Sequence, residues 1–348
     1  MTNFGEVLTT ARRASGKTQG ELASAVGITQ AALSRYEHGL RDPDDSTLEA
    51  LARELGVTVK FMTHAGRVRG AMAVDVHMRR RGTAQATIWK RLEARLNMYR
   101  MHASLLAEEV RVRADQRIPT FDPDDTPPPD AARLVRMQWR MPVGPVRNLA
   151  RWIEAAGCLI IEEDFGTARV DGMSQWVGDI PIMFINSSAP TDRKRLTLAH
   201  ELGHLVLHAS EISDDVEAQA NAFSAEFLMP IEVIRPQLRR IKINKLFDLK
   251  REWGVSMAAL VERSYREGLM PMKQRTQLYK ALSTNGWRTR EPGSDEIPAE
   301  EPRLTREIGR AMLARDLTPA EIANIAGFSS PNHNRLLPAE VEGRLRVV

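Results

Sequence analysis

A helix-rich α+β protein of at least two domains is what this sequence predicts, and three observations predict it. Apolar residues recur at helical spacing over most of the 348 residues. Two short β-branched runs, Gly157–Glu163 and Ile180–Asn186, are bounded by turn residues and read as strands. A cluster of breakers near residue 125 divides the chain. Hydrophobic residues make up 43% and charged residues 27%, which supports buried cores and excludes a fully disordered chain. No apolar run approaches the ~18 residues of a membrane span, and Met1–Glu6 lacks the basic-then-apolar pattern of a signal peptide. One cysteine, Cys158, excludes an internal disulfide and reads as a small core residue. A reducing, cytoplasmic setting, with no membrane partner, is the expectation.

Composition divides the chain into 1–66, 67–130, 131–235 and 236–348. The net charge is only +4, but Ala71–Arg117 carries 10 basic against 5 acidic residues, including Arg79–Arg81. That local excess suits either a polyanion partner or a solvated helical face. This Arg-rich stretch predicts one or two exposed helices and gives way to Pro119, Pro123 and Pro127–Pro129. Three consecutive prolines predict an extended, stiff spacer, which would hinder the C-terminal half from folding back on the N-terminal one. Beyond it, Val143–Ala156 reads as a helix. Helices are predicted at about 191–208 and 214–228, and the remainder is mainly helical. No internal repeat is evident.

The N-terminal region carries the first functional pattern. Thr18 caps a short helix, with Glu21 at the capping-box position. Gly27 supplies a turn, Thr29 caps a second helix, and Gly39 ends it. Leu22, Ala23 and Val26 can pack against Ile28, Leu33 and Tyr36, fixing the two helices at an angle that offers the second to a DNA major groove. The stretch resembles the lambda-repressor/Cro-type (XRE) helix-turn-helix family, whose five-helix domain fits Phe4 to about His64. The resemblance places Gln19 at phosphate and Thr29, Gln30, Ser34 and Arg35 at the groove. Gln30 and Arg35 suit bidentate reading of adenine and guanine edges. With 9 basic and 8 acidic residues in 1–70, a lone copy should bind double-stranded DNA weakly. A homodimer on paired half-sites of an operator is therefore expected.

The second pattern is His200-Glu201-Leu202-Gly203-His204. Histidines at i and i+4 lie about 40° apart on one helix face, so both imidazoles can reach one tetrahedral zinc. Glu201 lies beside the first histidine, where it can take a proton from an attacking water without ligating the metal. A third ligand is required. Ser210 stands where a third histidine six residues after His204 would be needed, which excludes that pattern. A glutamate on the following helix is the alternative: Glu217 is favoured over Asp214, Asp215 and Glu226, the last about 13 Å further along the axis. His208 drifts about 80° from His200 and suits a supporting or helix-terminal role better than ligation.

Val170–Trp176, the strand ending at Asn186, Arg195–His208 and Glu217–Pro230 resemble the ImmA/IrrE family of zinc metallopeptidases, over roughly residues 140–230. The resemblance implies a zincin-like domain with a small sheet. Zinc, or manganese in its place, would be held by His200, His204 and Glu217, with Glu201 as catalytic base. The loop from His204 to Glu217 is short for the family. Trp253–Met257 and Gly286–Pro292 resemble tails of members fused to a helix-turn-helix. Family members cleave helix-turn-helix repressors, which implies such a repressor as substrate and relief of repression of stress or mobile-element genes. The peptide is expected to add as a strand beside Ile180–Asn186. Two other readings stay open: a transcription factor whose peptidase-like domain only senses a ligand or metal, and an antitoxin-like regulator. Near the C-terminus, Thr318, Pro319 and Gly327 frame a short helix, but Ser330-Pro331-Asn332 suits no recognition helix, so a small packing module is expected.

Overall fold

The computed structural model describes residues 4–64, 86–110, 114–209, 215–288 and 290–337. Arg79–Arg81, Ser210 and Asp214 lie outside them. The described residues form sixteen α-helices and one three-stranded sheet. Their contacts group into two compact units: Met1–Arg113 with Trp176–Ile182 and Arg303–Val348, and Ala114–Gln175 with Met183–Pro302. Among the described residues, no helix is long and apolar enough to cross a membrane.

The first unit opens with the five expected helices: α1 (Phe4–Ser15), α2 (Gln19–Ala25), α3 (Gln30–Glu37), α4 (Asp45–Glu54) and α5 (Val59–His64). Leu8, Leu22, Leu33, Leu51 and Phe61 close its core. Thr18 and Glu21 form the reciprocal capping box, Thr29 accepts from the Ala32 amide, and Gly27 turns with φ +74°. One determinant escaped the sequence reading. A Cβ on Gly5 would collide with the Glu37 carbonyl, so glycine lets α1 sit directly on the end of α3. Helix α6 (Ala86–Glu109) packs on α1 and α5.

The chain end returns to this unit. Helices α15 (Leu304–Leu313) and α16 (Pro319–Ile325) are followed by a single 3-10 turn, Pro331–His333, where a reader would need a second helix. The short packing module expected at 318–327 is present. It belongs with residues 1–113, however, and not with the rest of 236–348. The Thr58 amide donates to the Gly327 carbonyl at 2.9 Å and the Ser329 amide to that of Gly56 at 3.0 Å. His102 of α6 is stacked between Phe61 and Phe328, with ring centroids 4.3 and 3.7 Å away. Its Nδ1 donates to the Ala326 carbonyl at 2.6 Å.

The second unit departs from expectation at its start. Pro127–Pro129 form no extended spacer: Pro127 caps α7 (Pro128–Gln138), and Pro128 and Pro129 occupy the first turn. Amides there have no intrahelical partner, so proline costs nothing and its fixed φ favours the helix. The stretch before it is built into the unit, with the Trp139 indole donating to the Arg117 carbonyl (2.9 Å) and the Phe121 amide to that of Val206 (2.8 Å). These prolines therefore provide no stiff spacer between the two halves of the chain. Helix α8 covers only Leu149–Ala155, because Gly144-Pro145 and Asn148 at φ +49° delay its start.

Strands β1 (Leu159–Glu163) and β3 (Ile180–Asn186) match the reading, but β2 (Gly172–Val177) was not foreseen. The sheet order is β1-β3-β2. β3 is therefore central, and its hydrogen-bonding edges are already taken by β1 and β2, so no substrate strand can add beside Ile180–Asn186. Helices α9 (Thr191–Leu207) and α10 (Val216–Leu228) follow, then α11 (Ile231–Leu238), α12 (Ile243–Trp253), α13 (Met257–Arg266) and α14 (Met272–Thr284).

Buried ion pairs anchor the start of α9. Lys250 donates to Asp192 (2.5 Å), Glu291 (2.8 Å) and Ser294 (3.0 Å). Arg195 reaches the Gly254 and Val146 carbonyls and Glu300. Each charge is taken up by partners, as burial at this depth requires.

Candidate metal centre

Helices α9 and α10 approach closely because Gly203 has no side chain. A Cβ there would lie 3.1 Å from Phe223 and 3.2 Å from the Ala220 Cα. The glycine inside the histidine motif is thus what lets the two helices meet. The contact brings Glu217, in the first turn of α10, beside the histidines of α9.

His200, His204 and Glu217 each offer one ligand atom, and these atoms lie within 4.8 Å of one another. Glu217 Oε1 is 3.4 Å from His204 Nε2, and Oε2 is 3.6 Å from His200 Nε2. The two Nε2 atoms face each other at 3.0 Å. Among the described residues, no other cluster of this kind occurs. Of the rivals for the third position, Glu226 is committed elsewhere: it pairs with Arg263 and, at 3.1 Å, with Arg133 in the core. Asp215 is exposed at the N-terminal end of α10.

The outward nitrogens decide which atoms face the cluster. His200 Nδ1 donates to Asn221 Oδ1 at 3.1 Å, which leaves the Nε2 lone pair directed at the site. His204 Nδ1 lies 3.0 Å from His208 Nδ1. His208 Nε2 is 2.7 Å from Gln219 Oε1. Burial lowers the His208 pKa, and the hydrogen bond to Gln219 only partly offsets it. Two imidazole nitrogens and a carboxylate converge on one point. A cation satisfies all three, so the residues fit a His-His-Glu metal site.

Glu201 is 4% exposed, and β2 holds it. Ser174 Oγ donates to Glu201 Oε2 at 2.8 Å, with the Glu201 backbone oxygen 3.1 Å away. β2 can lie this close because Gly172 faces Thr197 and Ile185 at distances no Cβ could keep. Ser174, Asn221 and Gln219 were all missed by the sequence reading. A serine in an unrecognised strand and amides on a helix carry no spacing signature. Cys158 is buried among apolar groups, which raise its pKa well above the usual thiol value. It is core, as expected.

In the first unit, Thr29, Gln30 and Arg35 are exposed and Ser34 is half-buried on α3. Gln19 is half-buried, and its Nε2 donates to Glu37 at 2.7 Å. Arg12 donates to the same carboxylate at 2.5 and 3.0 Å. The Gln19 side chain thus braces α2 against α3.

Two families of sequence match the chain. Residues 8–61 match the helix-turn-helix family, and residues 153–265 match a peptidase family described as the IrrE N-terminal-like domain. The chain is also similar to the SPbeta prophage-derived uncharacterized HTH-type transcriptional regulator YonR of Bacillus subtilis (strain 168). The two are 40% identical over 65 residues, which span 18% of this chain and 60% of that relative. The chain therefore joins a DNA-binding helix-turn-helix domain of the XRE type to a domain of the IrrE-like peptidase family.

Proposed function

We propose that this chain is a DNA-bound, zinc-dependent endopeptidase that cleaves a helix-turn-helix repressor and so relieves repression. The observation that carries this reading is the convergence of His200, His204 and Glu217 with Glu201 held beside them by Ser174. The metal ligands are His200, His204 and Glu217, and manganese is the alternative ion. Zinc, when bound there, supplies a Lewis acid that polarises the scissile carbonyl and acidifies the attacking water. Glu201 accepts the proton of that water and delivers it to the leaving amine. Ser174 fixes the carboxylate in one orientation for both transfers. The substrate backbone aligns at the outer edge of β2, since β3 is already paired on both sides.

On the DNA side, Thr29, Gln30, Ser34 and Arg35 face the groove, and the first turn of α2, with Gln19, meets phosphate. A homodimer occupies an operator in the cytoplasm. Tethering at DNA raises the local concentration of neighbouring repressors and restricts cutting to them.

The test is co-expression of the full chain with neighbouring helix-turn-helix repressors, wild type against Glu201→Gln. Wild type should cleave one of them, and the variant should keep zinc and DNA binding but cut none. If wild type cuts nothing with zinc or manganese supplied, while both chains control promoters alike, the peptidase reading fails and a non-catalytic sensor takes its place.

A further inference from the structure

The metal-site reading accounts for His200, His204, Glu217 and Glu201, but it leaves His208 and Gln219 without a task. His208 is the last residue before the chain leaves α9, and its backbone amide still closes onto the His204 carbonyl at 2.9 Å. That bond places its ring over His204, with ring centroids 5.1 Å apart. Gln219 comes from the neighbouring helix, α10. Three side chains from two elements thus form one hydrogen-bonded row: Gln219, His208, His204.

Donor and acceptor accounting gives the row a direction. The oxygen of an amide only accepts, so the contact between His208 Nε2 and Gln219 Oε1 at 2.7 Å requires the proton on Nε2. A neutral imidazole carries one proton, and Nδ1 of His208 must then be an acceptor. Its neighbour at 3.0 Å is Nδ1 of His204, which must therefore donate. With the His204 proton at Nδ1, its Nε2 keeps a lone pair, and that atom is the one beside Glu217 and His200 Nε2.

We propose that Gln219 and His208 are positioning residues that set the tautomer of His204, so that its Nε2 is always presented as a ligand for the metal. Metal-binding histidines are usually oriented by a carboxylate or a backbone carbonyl. Here a second imidazole, itself polarised by an amide, performs the same task without adding negative charge near the ion. His200 is served separately by Asn221 on the same helix, so α10 provides a ligand, Glu217, and sets both histidines. The inference rests on the metal-site reading, and the measurements below separate the two.

Two readouts on the full chain test it. The first is the nitrogen NMR signature of His204 in zinc-free protein, assigned by its loss in His204→Gln. Wild type should show the Nδ1–H form alone, and His208→Leu should show a mixture of both tautomers. The second is zinc affinity by competition with a chelator. His208→Leu should bind roughly 10–100-fold more weakly, the usual effect of removing such a partner. Gln219→Leu should shift both readouts in the same direction.

His208→Gln keeps an acceptor for His204 and a donor for Gln219, so it should restore most of the affinity. Gln219→Glu should do the same. The proposal is overturned if His208→Leu retains the Nδ1–H form and wild-type affinity. Equal loss in His208→Leu and His208→Gln would overturn it as well, since that assigns His208 to packing alone. If wild type binds no zinc while its NMR signature follows the predicted pattern, the metal-site reading fails and the tautomer relay stands.

Discussion

Two helix pairs carry the residues of the proposed function, and they carry them in opposite ways. On α2 and α3 the side chains proposed to read DNA point outward: Thr29, Gln30 and Arg35 are exposed, and the core beneath them is apolar. On α9 and α10 those of the proposed metal site point inward: His200 and Glu201 are buried, and each polar group is held by a residue on another element. Exposed chemistry is separable from folding, because a reader's side chain can be removed without unpairing anything beneath it. Buried chemistry is not separable, because ligands, their hydrogen-bond partners and the close approach of the two helices make one assembly.

Substitutions can break this contrast, and the largest effect is expected at the metal. Purified full-length chain should hold about one zinc, and His204→Ala should hold none, by metal analysis. A variant that keeps its zinc would remove His204 from the site.

Next come the two glycines that shape the pairs. Gly203→Val forces methyl groups into Phe223 and the Ala220 backbone. It should cost roughly 1–3 kcal/mol of stability and weaken zinc binding as well. Gly27→Ala meets nothing within 4 Å and bears only the strain of φ +74°, so about 1 kcal/mol is expected, with zinc unaffected. Thermal and chelator titrations of both variants check the difference. Equal loss of zinc in the two would dissolve the contrast.

Arg35→Ala should cost roughly 1–3 kcal/mol of specific DNA affinity and relax selectivity, with an unchanged unfolding midpoint. Equal weakening on random DNA would assign Arg35 to phosphate instead.

A last effect sharpens the comparison from inside the first unit, at His102, a fully enclosed imidazole with no metal to face. Burial lowers the His102 pKa from 6.5 to about 3, and its bond to the Ala326 carbonyl offsets this only partly. The unfolded chain protonates near 6.5, so it binds more protons than the folded one between those values. The neutral ring's contribution is complete above pH 6.5 and is lost as the pH falls. A decline on the order of 1–2 kcal/mol is expected from pH 6.5 to 5. Denaturant unfolding across that range should show a flatter slope in His102→Leu.

Legibility followed the same divide. The reader was legible because caps and turns act locally: Thr18, Glu21, Gly27 and Thr29 do in the structure what their spacing implies. The spacing of His200 and His204 was equally local, and Glu217 followed once a second helix was placed. What escaped was set by tertiary contact. β2 reads as no strand because Gly172 opens it and the adjacent polar pair Ser174-Gln175 breaks both an apolar run and an alternation, yet its place against α9 gives Ser174 its role. The prolines at 127–129 read as a spacer because three in a row exclude a helix interior, while a helix's first turn accepts them. Even a repeat went unseen. Thr18, Glu21, Ala23 and Gly27 recur as Thr318, Glu321, Ala323 and Gly327, a constant offset of 300 residues (318 minus 18). Both stretches form capped helices of the same unit, α2 and α16. Only α2 is followed by a helix that can read DNA, so the shared signature specifies a helix and not a function.

The return of residues 303–337 to the first unit also orders events at the ribosome. Phe61 of the DNA reader is covered by His102 and reached through Gly327 and Phe328, and Thr58 waits for a carbonyl 269 residues downstream (327 minus 58). At roughly 5–20 residues per second, that partner emerges some 13–54 seconds later. Closing so long a span costs about 5 kcal/mol by the logarithmic dependence on its length. During that interval residues 114–302 are made, and α15 and α16 follow only after them. The nascent DNA reader therefore spends its first seconds with one apolar face uncovered, and its fifth helix is sealed only when translation of the peptidase-like unit is over.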